Sequence, residues 1–259
     1  MFRDIVINPF FFVCFFLSVA SLTAACSGPN ENSAATIAVA TNFKTTLEHL
    51  ESDFEARSGH TIDIVSGSTG KLYAQIINGA PYDVFLAADQ ARPERLVAEG
   101  QAVPMSRFTY AVGILALWSP TDPDVTPDTL IETDITRLAL ANPDLAPYGL
   151  AAAQLLERLR LDEQLRPKFV FGENVGQTFA FIRTGNAQIG FVSAAQVLAL
   201  PENTEGSAWF VPPQLHDPIS QDAVLLSRGE ANAAARAFLT YLKSDPAREI
   251  IRRSGYESD

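Results

Sequence analysis

The chain has 259 residues, with 19 Lys plus Arg against 30 Asp plus Glu and a formal net charge of −11. Hydrophobic residues make up 47% of it and charged residues 19%, which suits one large domain or two lobes of roughly 100–150 residues and excludes general disorder. The acidic balance excludes a nucleic-acid binder, whose phosphate contacts need a basic face, and a surface that steers anions from a distance. Residues 9–25 (PFFFVCFFLSVASLTAA) form an apolar run behind Arg3 and Asp4 and end in small residues, the layout of a secretory signal peptide. The run is just long enough for a membrane span, so an uncleaved anchor is the alternative. Either reading places the remaining chain outside the cytoplasmic membrane.

The run stops at Leu22-Thr23-Ala24-Ala25-Cys26, and SGPNENS follows. Small residues before a Cys and a polar tether after it resemble a bacterial lipoprotein processing site, with the large aliphatic residue, Leu22, one place further upstream than usual. The expectation is a signal peptide at 1–25, a lipidated Cys26 and a tether over 26–35, with simple cleavage nearby as the alternative. Cys14 and Cys26 are the two cysteines. The folded part therefore has neither a disulfide nor a thiol nucleophile, although an exported address would allow disulfides.

After the tether, residues 36–40 (TIAVA) read as a strand. Phe43, Leu47, Leu50 and Phe54 then repeat at helical spacing, with Gly59 as the stop. A strand over 61–65, a helix over 72–77, a strand over 84–87 and a helix over 93–99 follow. Residues 108–118 (FTYAVGILALW) form one long apolar run, and 119–128 are a loop with Pro120, Pro123 and Pro127. Alternation resumes with strands over 137–141, 168–171 and 189–192 and helices over 151–161 and 177–183. Pro212, Pro213 and Pro218 precede a last strand over 223–226, and helices over 232–242 and beyond Pro246 close the chain. Such alternation predicts a layered α/β fold with largely parallel sheets. Two α/β blocks joined at Pro-bordered strands predict a bilobed protein with a ligand cleft, the chain returning at the end to complete the first lobe. The expected boundaries are 36–114 with 220–259 for the first lobe and 115–219 for the second.

The chemistry-bearing residues sit where strands meet helices. Ala40-Thr41-Asn42-Phe43 offers capping residues and unsatisfied N–H groups at a helix start, where an oxyanion can bind without a full positive charge beside it; plain capping is the alternative. Ser66-Gly67-Ser68-Thr69-Gly70-Lys71 repeats the pattern, with hydroxyl donors at Ser68 and Thr69, but lacks the spacing of a Walker A loop. In the second block Ala146-Pro147-Tyr148-Gly149 brings a phenol, while Asn174-Val175-Gly176-Gln177 brings a backbone N–H at Val175; a turn and a helix start are the plain readings. His49, His60 and His216 form no metal-ligand pattern, and Ser193 lacks the Gly of a nucleophile elbow. Asp83 and Asp89 merely flank a strand. The sequence therefore predicts a binding protein rather than an enzyme, with no cofactor and no bare-cation site.

The segments AVATNF (38–43), SGSTGKLYAQIINGAPYDVFLAAD (66–89), ARPERL (91–96), ANPDLAPYGLAA (141–152), GENVGQTFAFIRTGNAQIGFVSAAQV (172–197) and the closing FLTYLKSDPAREIIRRSGY resemble the bacterial periplasmic molybdate-binding proteins of ABC importers. The resemblance runs in order along nearly the whole mature chain. It implies a two-lobed periplasmic-binding-protein fold, usually monomeric, that closes on one tetrahedral oxyanion, molybdate or tungstate. Delivery to a permease with its cytoplasmic ATPase is also implied. Carried over by position, the ligand contacts are Thr41, Asn42 and Ser68 from the first lobe, with Tyr148 and the backbone of Val175 from the second. Many members place a Tyr hydroxyl where Ser193 stands here; Tyr148 resembles the branch that supplies it from the other loop. Sulfate, phosphate or another small oxyanion is the alternative ligand, and an exported enzyme the remaining class.

Overall fold

A computed structural model describes residues 34–132 and 134–257, so the leader, Cys26 and most of the tether lie outside the described residues. In chain order the elements are β1 (Ala34–Ala40), a 3-10 turn (Thr41–Phe43), α1 (Lys44–Ser58), β2 (Thr61–Gly67), α2 (Thr69–Ile77), β3 (Val84–Leu86) and α3 (Ala91–Ala98). Next come β4 (Phe108–Gly113), β5 (Leu115–Ser119), α4 (Thr129–Glu132), β6 (Leu138–Ala141), α5 (Pro147–Arg158) and α6 (Asp162–Leu165). The chain continues through β7 (Phe169–Gly172), α7 (Val175–Arg183), β8 (Ile189–Ser193), α8 (Ala194–Leu198) and β9 (Ser207–Phe210), then ends with β10 (Ile219–Leu225), α9 (Ala233–Leu242) and α10 (Asp245–Arg253).

Two five-stranded sheets result, ordered β2-β1-β3-β10-β4 and β7-β6-β8-β5-β9. β1 pairs in parallel with β2 and β3, and β6 in parallel with β7 and β8, while β10 and β5 run antiparallel to their neighbours. The fold is thus the two-lobed α/β binding-protein architecture, both lobes belonging to one compact unit, Asn32–Asp259. Both sheets share one pattern of strand directions, three parallel strands followed by an antiparallel one and an edge strand, so each presents two parallel strand ends that lead toward helix starts.

Helices cover both faces of the first sheet, which is why β1 is apolar on both sides. Ile37 and Val39 pack with Phe43, Leu47, Leu50, Phe54 and Phe238, whereas Ala38 packs on the opposite face with Leu72, Ile76 and Phe85. The four residues at helical spacing in and just before α1 are all buried, each contributing about 1.5–3 kcal/mol by its removal from water. Gly59 ends that helix in the left-handed conformation, φ 72°, as its position predicts. In the second lobe Leu117, Leu138, Leu140, Leu155, Ile189 and Phe191 form the core.

The apolar run at 108–118 is not one strand. It divides at Gly113–Ile114, with β4 in the first sheet and β5 in the second, so a continuous apolar pattern conceals a passage between lobes. A Cβ on Gly113 would lie 2.2 Å from the Tyr148 hydroxyl; the absent side chain leaves room for that ring to reach across. β10 begins four residues earlier than its apolar pattern suggests, because Ile219–Gln221 pair with β4. β9, α4, α6 and α8 are too short to show a period in the sequence.

Candidate functional site

Four chain turns converge at the carboxyl ends of parallel strands, the usual ligand edge of such sheets. β1 runs into the Thr41–Phe43 turn, β2 into α2, β6 through a short loop into α5, and β7 through a short loop into α7. Together they line one cavity with Ala40, Thr41, Asn42, Gly67, Ser68, Thr69, Ala88, Ala146, Pro147, Tyr148, Asn174 and Val175. The structure therefore brings all five residues Thr41, Asn42, Ser68, Tyr148 and Val175 to one place. No Asp, Glu, His, Lys or Arg is among the lining residues. The space is about 10 Å³ for a water's centre, the scale of a single small solute.

Local sequence explains each turn. Ser68 is the N-cap of α2, its Oγ accepting from the Lys71 N–H at 3.4 Å. Asn174 caps α7 by accepting from the Gln177 N–H at 2.9 Å. Pro147 opens α5, where its missing N–H costs nothing; this helix starts before residue 151, which places Tyr148 in its first turn. The first N–H groups of each helix have no intrahelical partner and carry the positive end of the dipole.

Thr41 and Asn42 behave differently from the capping residues their sequence suggests. The Thr41 hydroxyl donates to the Gly67 carbonyl at 2.9 Å, which uses its one proton. Asn42 donates from Nδ2 to Gln221 Oε1 at 2.9 Å and to the Tyr256 hydroxyl at 3.2 Å. Any contact they make with an anion falls to the backbone. Three side-chain protons face a different situation. Ser68 Oγ and Thr69 Oγ1 each accept from a backbone N–H, Thr69 from Ala88 at 3.2 Å, and Tyr148 Oη accepts from Gln221 Nε2 at 3.4 Å. Each oxygen is thereby used as an acceptor while its own hydrogen stays available to donate.

Tyr148 is 2% exposed. Burial pushes its hydroxyl well above the ordinary 10, the neighbouring tyrosines Tyr256 and Tyr110 add to this, and hydrogen bonds with Gln221 and Asn42 pull weakly the other way. It is a neutral donor at any physiological pH. Gln221, Tyr110 and Tyr256 surround it, and the sequence reading names none of them. Gln221 is completely buried in β10, where the Tyr110 hydroxyl lies 3.2 Å from its Oε1 and 3.1 Å from the Ala87 carbonyl. Two β4 steps oppose one β10 step at Gln221/Asp222, leaving Tyr110 as the extra residue, the kind of bulge that re-aims a side chain. The polar pair Gln221-Asp222 inside an otherwise apolar strand is the sequence signal that could have found them.

The lobes meet around the cavity. Gly70 N–H donates to the Leu145 carbonyl at 2.9 Å, Arg92 Nη2 donates to the Asp144 carbonyl at 2.9 Å, and Lys71 pairs with Glu173 at 2.6 Å. α7 abuts the Thr41–Phe43 turn so closely that a Cβ on Gly176 would lie 2.3 Å from Thr41 Cγ2. Larger hollows exist, such as one of about 340 Å³ beside Thr45, His49, Leu198 and Arg253, but it does not gather the four turns.

The remaining candidates have structural roles. Ser193 is fully buried and forms a capping box with Gln196 at the start of α8, outside the cavity lining. Asp83 accepts from the Thr36 N–H at 2.8 Å and from Asn232 at 3.2 Å, while Asp89 pairs with Arg92. Among the described residues no group of His, Cys, Asp or Glu is placed to hold a metal ion.

Two α/β lobes that meet at one small, donor-lined cavity define a bilobed binding protein. The chain belongs to the bacterial extracellular solute-binding protein family, whose model matches residues 35–257. It is 46% identical over 224 residues to the molybdate-binding protein ModA of Rhodobacter capsulatus, covering 86% of this chain and 87% of that one. Identity to the ModA of Azotobacter vinelandii is also 46%, over 85% and 88% of the two chains. The solved periplasmic molybdate-binding protein of Azotobacter vinelandii superposes with a TM-score of 0.83 at 40% identity, over 87% of this chain and 99% of that one.

Proposed function

We propose that this protein captures molybdate, or tungstate, outside the cytoplasmic membrane and delivers it to an ABC importer. The observation that carries the reading is the convergence of Thr41, Asn42, Ser68, Tyr148 and Val175 on one small cavity without a charged side chain. Hydroxyl and backbone donors suit a fully ionised oxyanion, which accepts hydrogen bonds and offers none. Hydrogen phosphate keeps a proton that needs an acceptor, and no carboxylate lines the cavity. Sulfate has the same charge and shape with shorter bonds, so cavity size must exclude it. The likeness to molybdate-binding relatives supports the heavier anions. Ligand contacts would come from Ser68 Oγ–H, Tyr148 Oη–H and the N–H groups of Thr41, Asn42 and Val175, with Thr69 Oγ–H as a further donor.

Thermal unfolding of the purified protein with each anion tests this. At ligand about 1,000-fold above its dissociation constant, linkage adds roughly 4 kcal/mol, which for a chain of this size is a rise of about 8–16 °C. Molybdate and tungstate should produce it. A shift with sulfate or phosphate alone would replace the substrate and keep the fold.

The protein would be a monomer, its lobes spanning 36–114 with 220–259 and 115–219, and it would bind its ligand without turning it over, since the lining holds no carboxylate, imidazole or amine to serve as a general base. Delivery implies a tether, for which lipidated Cys26 is the candidate. Cys26→Ala should release the protein from membranes; unchanged retention would point to another anchor.

A further inference from the structure

We propose that Gln221 is the positioning residue that fixes the direction of the Tyr148 hydroxyl and so makes the cavity reject oxyanions that carry a proton. The inference rests on the oxyanion reading above and deepens it.

The argument follows hydrogen-bond direction from a fixed end. The Asn42 carbonyl can only accept, so the Tyr256 hydroxyl donates to it, at 2.7 Å. With its proton used, the Tyr256 oxygen must accept, which turns the Asn42 amide so that Nδ2 faces it at 3.2 Å. The second Nδ2 hydrogen then points at Gln221, which must present its oxygen, at 2.9 Å. The Tyr110 hydroxyl lies 3.2 Å from that same oxygen but shares its one proton with the Ala87 carbonyl at 3.1 Å, so the Asn42 contact alone sets the direction. Flipping the Gln221 amide would set donor against donor at the Asn42 contact. Its Nε2 therefore faces Tyr148 and donates to the phenol oxygen. Tyr148 is left with donation into the cavity as the role of its proton.

A hydroxyl free to rotate could donate to molybdate or accept from hydrogen phosphate equally well. A hydroxyl locked as donor serves only an anion that has a lone pair at that place. All members of this chain of bonds are buried: Asn42 4%, Tyr110 7%, Tyr256 3% and Gln221 0% exposed, so water does not scramble the directions. Because Gln221 lies on β10 of the first lobe and Tyr148 on α5 of the second, the polarity is imposed where the lobes meet.

The test is Gln221→Glu, read as molybdate and phosphate affinity against pH between about 6 and 9, a range in which a buried carboxyl with a raised pKa titrates. Protonated, the new carboxyl keeps one accepting oxygen toward Asn42 and Tyr110 and donates its O–H to Tyr148, as the amide does. Ionised, it accepts, the Tyr148 proton turns toward it, and the cavity faces a lone pair. The titratable neighbours are Tyr110, Tyr148 and Tyr256, all raised above 10 chiefly by burial, and Asp222, paired with Arg107 at 2.7 Å.

The expected result is a parent protein whose molybdate affinity is flat across this range. The variant should match it at the acid end and lose roughly tenfold or more at the alkaline end, where phosphate binding emerges. A variant with a flat profile, whether equal to the parent or uniformly weakened, would overturn the proposal. Failure of the parent itself to bind molybdate would instead overturn the functional reading. Should Gln221→Glu not fold, Gln221→Met leaves the Tyr148 hydroxyl free to rotate. The ratio of phosphate to molybdate dissociation constants should then narrow by a similar factor, and an unchanged ratio with both weakened would show a merely structural role.

Discussion

Replacing Tyr148 with Phe removes one atom from the site and leaves the ring packing intact. The ring is buried, with its oxygen over Gly113. In the complex the hydroxyl proton meets an anion, and a hydrogen bond to a charged group contributes about 1.5–3 kcal/mol. The dissociation constant should rise roughly 10- to 150-fold. Without ligand the change is smaller, because what is lost is a weak bond with Asn42 and the long one from Gln221 at 3.4 Å. Leaving that amide without an acceptor costs about 1 kcal/mol, a fall in Tm of about 2–4 °C. Isothermal titration calorimetry with molybdate, beside unfolding of the free protein, separates the two effects. An affinity unchanged by Tyr148→Phe would remove the hydroxyl from the site and refute the donor accounting.

Gly176→Ala would place a methyl against Thr41 where the lobes meet, so overpacking should lower stability and weaken molybdate binding, by about 1–3 kcal/mol in all; unfolding and calorimetry both at parental values would contradict this. Ser193→Ala breaks the capping box of α8 and should cost about 1 kcal/mol of stability while leaving the dissociation constant alone, a combination that would fail if Ser193 touched the ligand. Tyr110, Tyr148 and Tyr256 have folded-state pKa values raised above 10, chiefly by burial. Their neutral forms therefore contribute stability that is complete below pH 10 and is lost as pH rises through the folded values. Alkaline titration should show tyrosinate absorbance and unfolding appearing together above that pH. Ionisation of all six tyrosines near pH 10 in a folded protein would refute it.

Much of this was legible in the sequence because it is periodic. The Phe43, Leu47, Leu50 and Phe54 spacing marks α1, and strand-to-helix turns place the cavity at known strand ends. Two adjacent hydroxyl-bearing turns become a site only once β1 and β2 lie side by side, Ala40 opposite Gly67. What escaped is long-range. Gln221 meets Asn42 across 179 residues, a contact no local pattern encodes. The passage between sheets at Gly113 is hidden because its flanks are apolar for different reasons, each facing its own core. Thr41 and Asn42 have the composition of caps, but tertiary partners take up their side chains.

The central claim, capture of a proton-free tetrahedral oxyanion of molybdate's size, is tested most directly by calorimetric titration of molybdate into the protein held in excess sulfate. The account predicts one molybdate per chain, with an affinity that added sulfate leaves unchanged. Displacement of molybdate by sulfate, or no heat of binding at all, would contradict it.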